Sequence, residues 1–235
     1  MKSAILLAAV FLARGMAPAA AQAPAPPPDP AAPVYVVSYI DVKRSAKAEA
    51  MMLLKQFRAA CARERGNRRC EAAQRMEQQN QFVVLEIWKD RASFDAHAAG
   101  PGKQLRDRLK AMLQSPYDER VHTAYAVVPP QPAPEGRIVY AIAHIDIVPV
   151  PAILDKAVPL LSPAAEAGRR ERGNGRFEVL QQTERRSNHF TLVEIWSNRR
   201  TLEAHQMQPH TIRFREQLQP NIGALYDERL YKVLD

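Results

Sequence analysis

Two short constellations carry the side chains capable of chemistry. Glu86-Ile87-Trp88 is followed by His97 and Pro101, and Glu194-Ile195-Trp196 by His205, Pro209 and His210. A carboxylate, an indole N–H and an imidazole supply a proton acceptor and hydrogen-bond donors, which can deprotonate a weakly acidic ligand and hold its anion away from water. Each indole could line a cavity between helices and sheet. It could equally be a core residue that ends its strand and packs under a helix. Each imidazole could act as the base, or could cap or pin a helix break before Pro101 and Pro209. A glutamate inside a strand must find a donor or water, and an arginine is the expected partner. Trp88, His97, Trp196 and His205 are therefore the candidate catalytic residues, with Glu86, Glu194 and His210 as candidate substrate contacts. Tyr39 and His144 join them from equivalent first-strand positions, and their difference implies that the two pockets are not chemically identical. His205 and His210 are separated by about 140° on a continuous helix, so no metal centre is expected from them.

The elements that must position these groups also occur twice. Both copies end in one tetrapeptide, Tyr117-Asp118-Glu119-Arg120 and Tyr226-Asp227-Glu228-Arg229, with a period of about 105 to 109 residues. That period is too long for a solenoid and long enough for a domain with its own core. In the first copy, Val34 to Val42 reads as a strand and the segment from Ser45 as a helix stopped by Gly66-Asn67. Strands follow from Arg69 to Gln78 and from Phe82 to Trp88. A helix capped by Asp90 is interrupted at Gly100-Pro101-Gly102 and continues through Leu105, Leu109, Met112 and Leu113. Tyr117 to Val127 is the last strand. The second copy repeats the order, with Pro159 and Pro163 expected to kink or split its first helix. Strand, helix, strand, strand, helix, strand is the ferredoxin-like arrangement. Phe82, Val84, Glu86 and Trp88 face one side of their strand while Val83, Leu85 and Ile87 face the other, so both faces need cover. The predicted class is α+β: two tandem ferredoxin-like (βαββαβ) domains packed sheet to sheet as an intramolecular dimeric α/β barrel. The Tyr-Asp-Glu-Arg repeats are expected to open the last strands, with charges pairing at the domain seam.

Glu-Ile-Trp followed by His-x-x-x-Pro, present twice, resembles the antibiotic biosynthesis monooxygenase (ABM) family over about residues 34–127 and 137–233. The resemblance implies dimers of ferredoxin-like domains joined through their sheets, which agrees with the patterning argument. It implies cofactor-free oxygenation of a quinol or small phenolic compound, or a binding protein that keeps the pocket for an aromatic or hydrophobic small molecule without turnover. No cofactor or metal follows from it. Haem chemistry is disfavoured, because Ser38 and Ala143 stand where a first-strand Asn would be needed. The strand Asn of several such oxygenases is also missing, since Asn80 and Asn188 fall in turns.

Residues 1–21 read as a cleaved signal peptide: Lys2, the apolar run Ala4 to Ala13, then Ala19-Ala20-Ala21. That run is far short of the roughly 20 residues a spanning helix needs, so no stable membrane insertion is expected after cleavage. A Pro/Ala-rich tether (22–33) and a Pro-rich linker (128–136) flank the first domain (34–127), and the second covers 137–235. The product is expected to be periplasmic or secreted, where Cys61 and Cys70 would form a disulfide. Their counterparts, Gly168 and Phe177, show that such a bond is dispensable for the fold. The net charge of +8 is spread among acidic residues instead of forming a stripe, which argues against nucleic acid as a partner. The clusters Arg63, Arg65, Arg68, Arg69 and Arg169, Arg170, Arg172 are expected at solvated helix ends.

Overall fold

The computed structural model describes residues 29–129, 134–183 and 186–234. The expected signal peptide, residues 22–28 of the tether and residues 130–133 of the linker lie outside the described residues. The first copy runs β1 (Val34–Asp41), α1 (Lys47–Cys61), β2 (Asn67–Arg75), β3 (Gln81–Trp88), α2 (Arg91–Ala99), α3 (Pro101–Leu109) and β4 (Asp118–Ala126). The second runs β5 (Val139–Asp146), α4 (Pro151–Ala157), α5 (Leu161–Arg169), β6 (Asn174–Gln182), β7 (His189–Trp196), α6 (Arg199–Gln206), α7 (Pro209–Leu218) and β8 (Asp227–Val233). Pro159 does split the first helix of the second copy, sitting in a 3-10 turn between α4 and α5. Pro163 does not split it, because it falls in the first turn of α5, where no N–H is needed. The helix expected to run through Met112 and Leu113 stops at Leu109; Leu113 instead makes a β-bridge with Val42.

Each copy forms a four-stranded antiparallel sheet, and the two sheets close into one eight-stranded barrel in the order β1-β3-β2-β8-β5-β7-β6-β4. The seams are β2 against β8, with Ala73 opposite Val233, and β4 against β6, with His122 opposite Gln182. Closure leaves no sheet edge unpaired. The alternation read from the sequence holds: Val83, Leu85 and Ile87 enter the barrel interior with Tyr140, Ile142 and Val193. Phe82, Val84 and Trp88 pack outward beneath the helices with Leu54, Phe57 and Leu105.

Cys61, at the end of α1, is bonded to Cys70 on β2. In the second copy Gly168 lies so close to Phe177 that an added Cβ would fall 2.5 Å from its ring. One copy therefore joins helix and strand covalently, and the other fills the same gap with a phenyl ring.

Arg69, one of the arginines expected to be solvated, is not, and Arg176 matches it in the second copy. Arg69 makes a two-oxygen contact with Glu178, at 2.9 and 3.0 Å, and Arg176 reaches Glu71 at 2.6 Å. These are pseudo-symmetric partners on β2 and β6, so the ion pairs cross from one copy to the other. The Tyr-Asp-Glu-Arg charges pair within their own copies: Asp118 with Arg120, Asp227 with Arg229, Glu119 with Arg106 and Glu228 with Arg215. They do not meet at the seam, because alternation sends each Asp and Arg into the barrel and each Glu toward the helices.

Two outcomes follow. Replacing both Cys61 and Cys70 by serine should lower the unfolding free energy by about 2 to 3 kcal/mol, the loop-closure value for so short a loop, read from urea denaturation with and without reductant. The two copies expressed as separate chains should co-elute as a one-to-one complex in size-exclusion chromatography, since each alone exposes an apolar sheet face and two unpaired edges.

Candidate active site

The face of the sheet beneath the helices brings the predicted groups together. Glu86 and Trp88 lie one pleat repeat apart on β3, as do Glu194 and Trp196 on β7, so each pair shares a face. The indole Nε1 of Trp88 donates to Glu86 Oε2 at 2.8 Å, and Trp196 does the same to Glu194 at 2.8 Å. The expected arginine partner is thus replaced by the neighbouring indole, which burial of the carboxylate requires as a donor. His97 and His205 come down from the last turns of α2 and α6 and lie over the indoles, with ring centroids 4.4 and 4.7 Å apart. Their Nε2 atoms face the buried carboxylates at 3.4 Å (Glu86) and 3.6 Å (Glu194).

The helices are held in register by their N-termini. Asp90 caps α2 by accepting from the Ser93 N–H, and Asn198 with Thr201 forms a capping box on α6. Opposite these caps run Gly66 and Gly173, both at φ +88, and a Cβ on either would collide with Ser93 or Thr201. The tight turns bring in two residues outside the Glu-Ile-Trp and His-x-x-x-Pro motifs. Glu64 Oε1 lies 3.0 Å from His97 Nδ1, and Glu171 Oε1 lies 2.6 Å from His205 Nδ1. Each histidine is therefore clamped between a partly exposed glutamate and a buried one. The helix break positions the ring without the imidazole capping it. Glu64 and Glu171 recur at matching positions just before the paired glycines, a repeat signal that could have found them.

The two pockets are not alike. Pro209 restarts the helix after Met207 and Gln208, so α6 and α7 are separate segments. The two histidines are therefore not about 140° apart on one continuous helix: their rings converge to 6.1 Å, and His210 Nε2 lies 2.9 Å from Glu171 Oε1. In the first copy Gly102 takes the place of His210, and a Cβ there would fall 2.9 Å from His97 Nε2. The second copy holds a cavity of about 10 Å³ bounded by Glu194, His205, His210, Thr211, Tyr226 and the rings of Phe177 and Phe214. That is room for about one water molecule. Tyr39 and His144 do not reach either pocket. They share the inward face of β1 and β5 with Val37 and Ile142, on the opposite side of the sheet from the tryptophans.

Burial dominates the electrostatics of both clamps. Burial raises the Glu194 carboxyl to about 8, aided by Glu228 and opposed by the Trp196 hydrogen bond. Burial also raises Glu86, with His97 and Trp88 pulling the other way. Burial lowers His205, against the Glu171 hydrogen bond that supports its charged form. Burial lifts the Tyr226 hydroxyl well above its ordinary range, with Glu228 and Glu194 adding to the effect.

The closed barrel defines a protein of the dimeric α/β-barrel class, with both halves in one chain. The sequence pattern of the family described as "Antibiotic biosynthesis monooxygenase" matches residues 33–104 and 141–217, and the chain belongs to that family. Among solved structures it resembles a presumed monooxygenase from Fusobacterium nucleatum (TM-score 0.76, 15% identity, covering 87% of this chain and 94% of that one). It also resembles a presumed monooxygenase from Lactobacillus acidophilus (TM-score 0.69, 11% identity, 87% and 95% covered). An anthrone oxidase-like protein matches with a TM-score of 0.64 at 12% identity, 86% and 91% covered. At these identities the likeness is one of fold. No curated protein matches the sequence. Among the described residues no helix is long and apolar enough to cross a membrane.

Glu86→Gln tests the burial of the carboxyl in the first copy. Because the folded carboxyl binds its proton more tightly than the unfolded one, wild-type stability falls as pH rises past the ordinary value of 4.5. The glutamine variant lacks this fall while still accepting from the Trp88 indole. Its stability relative to wild type should therefore increase from pH 4.5 to 7.5 in urea denaturation, and a pH-independent difference would contradict the assignment.

Proposed function

We propose that this chain is an exported, cofactor-independent monooxygenase that acts on a quinol or small phenolic substrate with O2, using the pocket of the second copy. The observation that carries the reading is the chain Glu171–His205–Glu194, which runs from a partly exposed carboxylate to a buried one beside a cavity walled by Phe177 and Phe214. A phenolic O–H presented there gives its proton to the His205–Glu194 pair. The phenolate then transfers electrons to O2: one oxygen atom enters the ring and the other leaves as water, with all four electrons drawn from the substrate as the quinol becomes a hydroxyquinone. Proton removal, an apolar wall and exclusion of water are what the protein contributes. Substrate access requires the turn between α6 and α7 to swing outward, and Met207 in that turn is 73% exposed. Trp88, His97 and Glu86 repeat the clamp in the first copy, where Gly102 packs against the imidazole. Export to the periplasm or beyond is supported by the leader pattern and by the Cys61–Cys70 bond.

A specific observation favours a second reading, a non-catalytic binding protein for an aromatic or hydrophobic small molecule. Both indole N–H groups are already committed to glutamates, and the cavity as it stands holds about one water. Oxygen uptake with a panel of quinols separates the readings. The oxygenase should consume O2 in a quinol-dependent manner, and His205→Asn should slow turnover about 100-fold, as loss of a general base does. Absence of uptake, together with saturable ligand binding abolished by Trp196→Ala, establishes the binding protein instead.

A further inference from the structure

We propose that Glu171, His205 and His210 form a binding site for one divalent first-row transition-metal ion, of which Zn2+ and Co2+ are suitable probes. The donor atoms lie within 4.8 Å of one another. His205 Nδ1 and His210 Nε2 both point at Glu171 Oε1, at 2.6 and 2.9 Å, so the three donors converge from three segments: the turn after α5, the end of α6 and the start of α7. Ligand atoms about 2.0 to 2.2 Å from a tetrahedral zinc stand roughly 3.4 Å from each other, so side-chain shifts well under 1 Å would admit the ion. Two imidazoles and one carboxylate are borderline donors that suit zinc, cobalt, nickel or ferrous iron over calcium or magnesium.

Three further observations fit an ion site better than a plain hydrogen-bonded cluster. The far nitrogen of His205, Nε2, faces the buried Glu194 carboxylate at 3.6 Å, where a carboxylate orients a metal-bound imidazole. The adjoining cavity of about 10 Å³ has room for the water that a three-ligand site retains. His210 has 35% of its side chain exposed, which gives the ion a route in. The charge of Arg215 on the cavity wall is compensated by Glu228 at 2.8 Å. The first copy is an internal control: it offers Glu64 and His97, but Gly102 stands where the third donor would be, and His97 leaves no space for a side chain there.

Binding replaces the direct contact between His205 Nδ1 and Glu171 with two bonds to the ion. An ion on Nδ1 also closes the Glu171 arm of the relay described above, which makes the metal-bound and proton-relay states of this pocket mutually exclusive. The inference does not depend on the oxygenase reading, because the test uses neither substrate nor oxygen.

The test is titration of the untagged, chelator-treated full-length chain with Co2+ and Zn2+. The expected result is one ion per chain, seen as visible Co2+ absorption bands and as a zinc-dependent rise in Tm. His210→Ala and Glu171→Gln should each weaken binding at least 100-fold, while Glu64→Gln in the first copy leaves it unchanged. His210 is partly exposed, so its removal leaves the core packed, and matching circular dichroism spectra check that both variants fold. No Co2+ bands and no Tm shift in the wild type at millimolar metal overturns the proposal, as does wild-type affinity in either donor variant.

Discussion

Closure of the two sheets into one ring is the constraint on which the rest depends. A ferredoxin-like copy alone would leave one sheet face bare and two strand edges open, and each copy solves both problems for the other. The backbone pairings of β2 with β8 and β4 with β6 remove the edges, and the inward side chains of all eight strands fill the interior. A one-residue slip at either seam would turn every inward side chain outward. The crossed pairs Arg69–Glu178 and Arg176–Glu71 guard against such a slip, because their partly buried charges find partners in one register only. Such pairs contribute more to specifying the arrangement than to net stability, since desolvation offsets much of their attraction.

The glutamate, tryptophan and histidine groups lie in the layer between sheet and helices. There the strand period places a carboxylate beside an indole, and the helix break drops an imidazole onto both. The buried glutamates would be costly as bare anions. The indole N–H donates to them, the imidazole faces them, and the outer glutamate ties the imidazole to the surface. The clamp is built from ordinary elements: a strand, a capped helix, a proline restart and a glycine turn.

Much of the fold was legible because it rests on periodicities. The alternation along Phe82 to Trp88 and the repeated element order were enough to specify two sheets with both faces covered. The edge-to-edge seams follow only weakly from sequence, since they depend on how far each sheet twists. At the site, Trp88, Glu86 and His97 were found because the repeat advertised them. The hydrogen bond from Trp88 to Glu86 is not evident in the sequence, where charge alone points to an arginine partner. Tyr39 and His144 were misplaced relative to the pocket, because strand parity puts them inside the barrel. The meeting of His205 with His210 is hidden in the sequence because Pro209 divides what spacing alone presents as one helix. Arg69 reads as a surface charge in the sequence, because its partner Glu178 lies more than a hundred residues away.

Joining the halves in one polypeptide frees them from the rule that governs a homodimer, in which each substitution is made on both sides of the axis at once. Here a cysteine pair can lock one side while a phenyl ring wedges the other, and an imidazole can stand opposite a glycine. Pseudo-symmetry maintains the scaffold, and the departures from it let one gene product carry two unlike pockets.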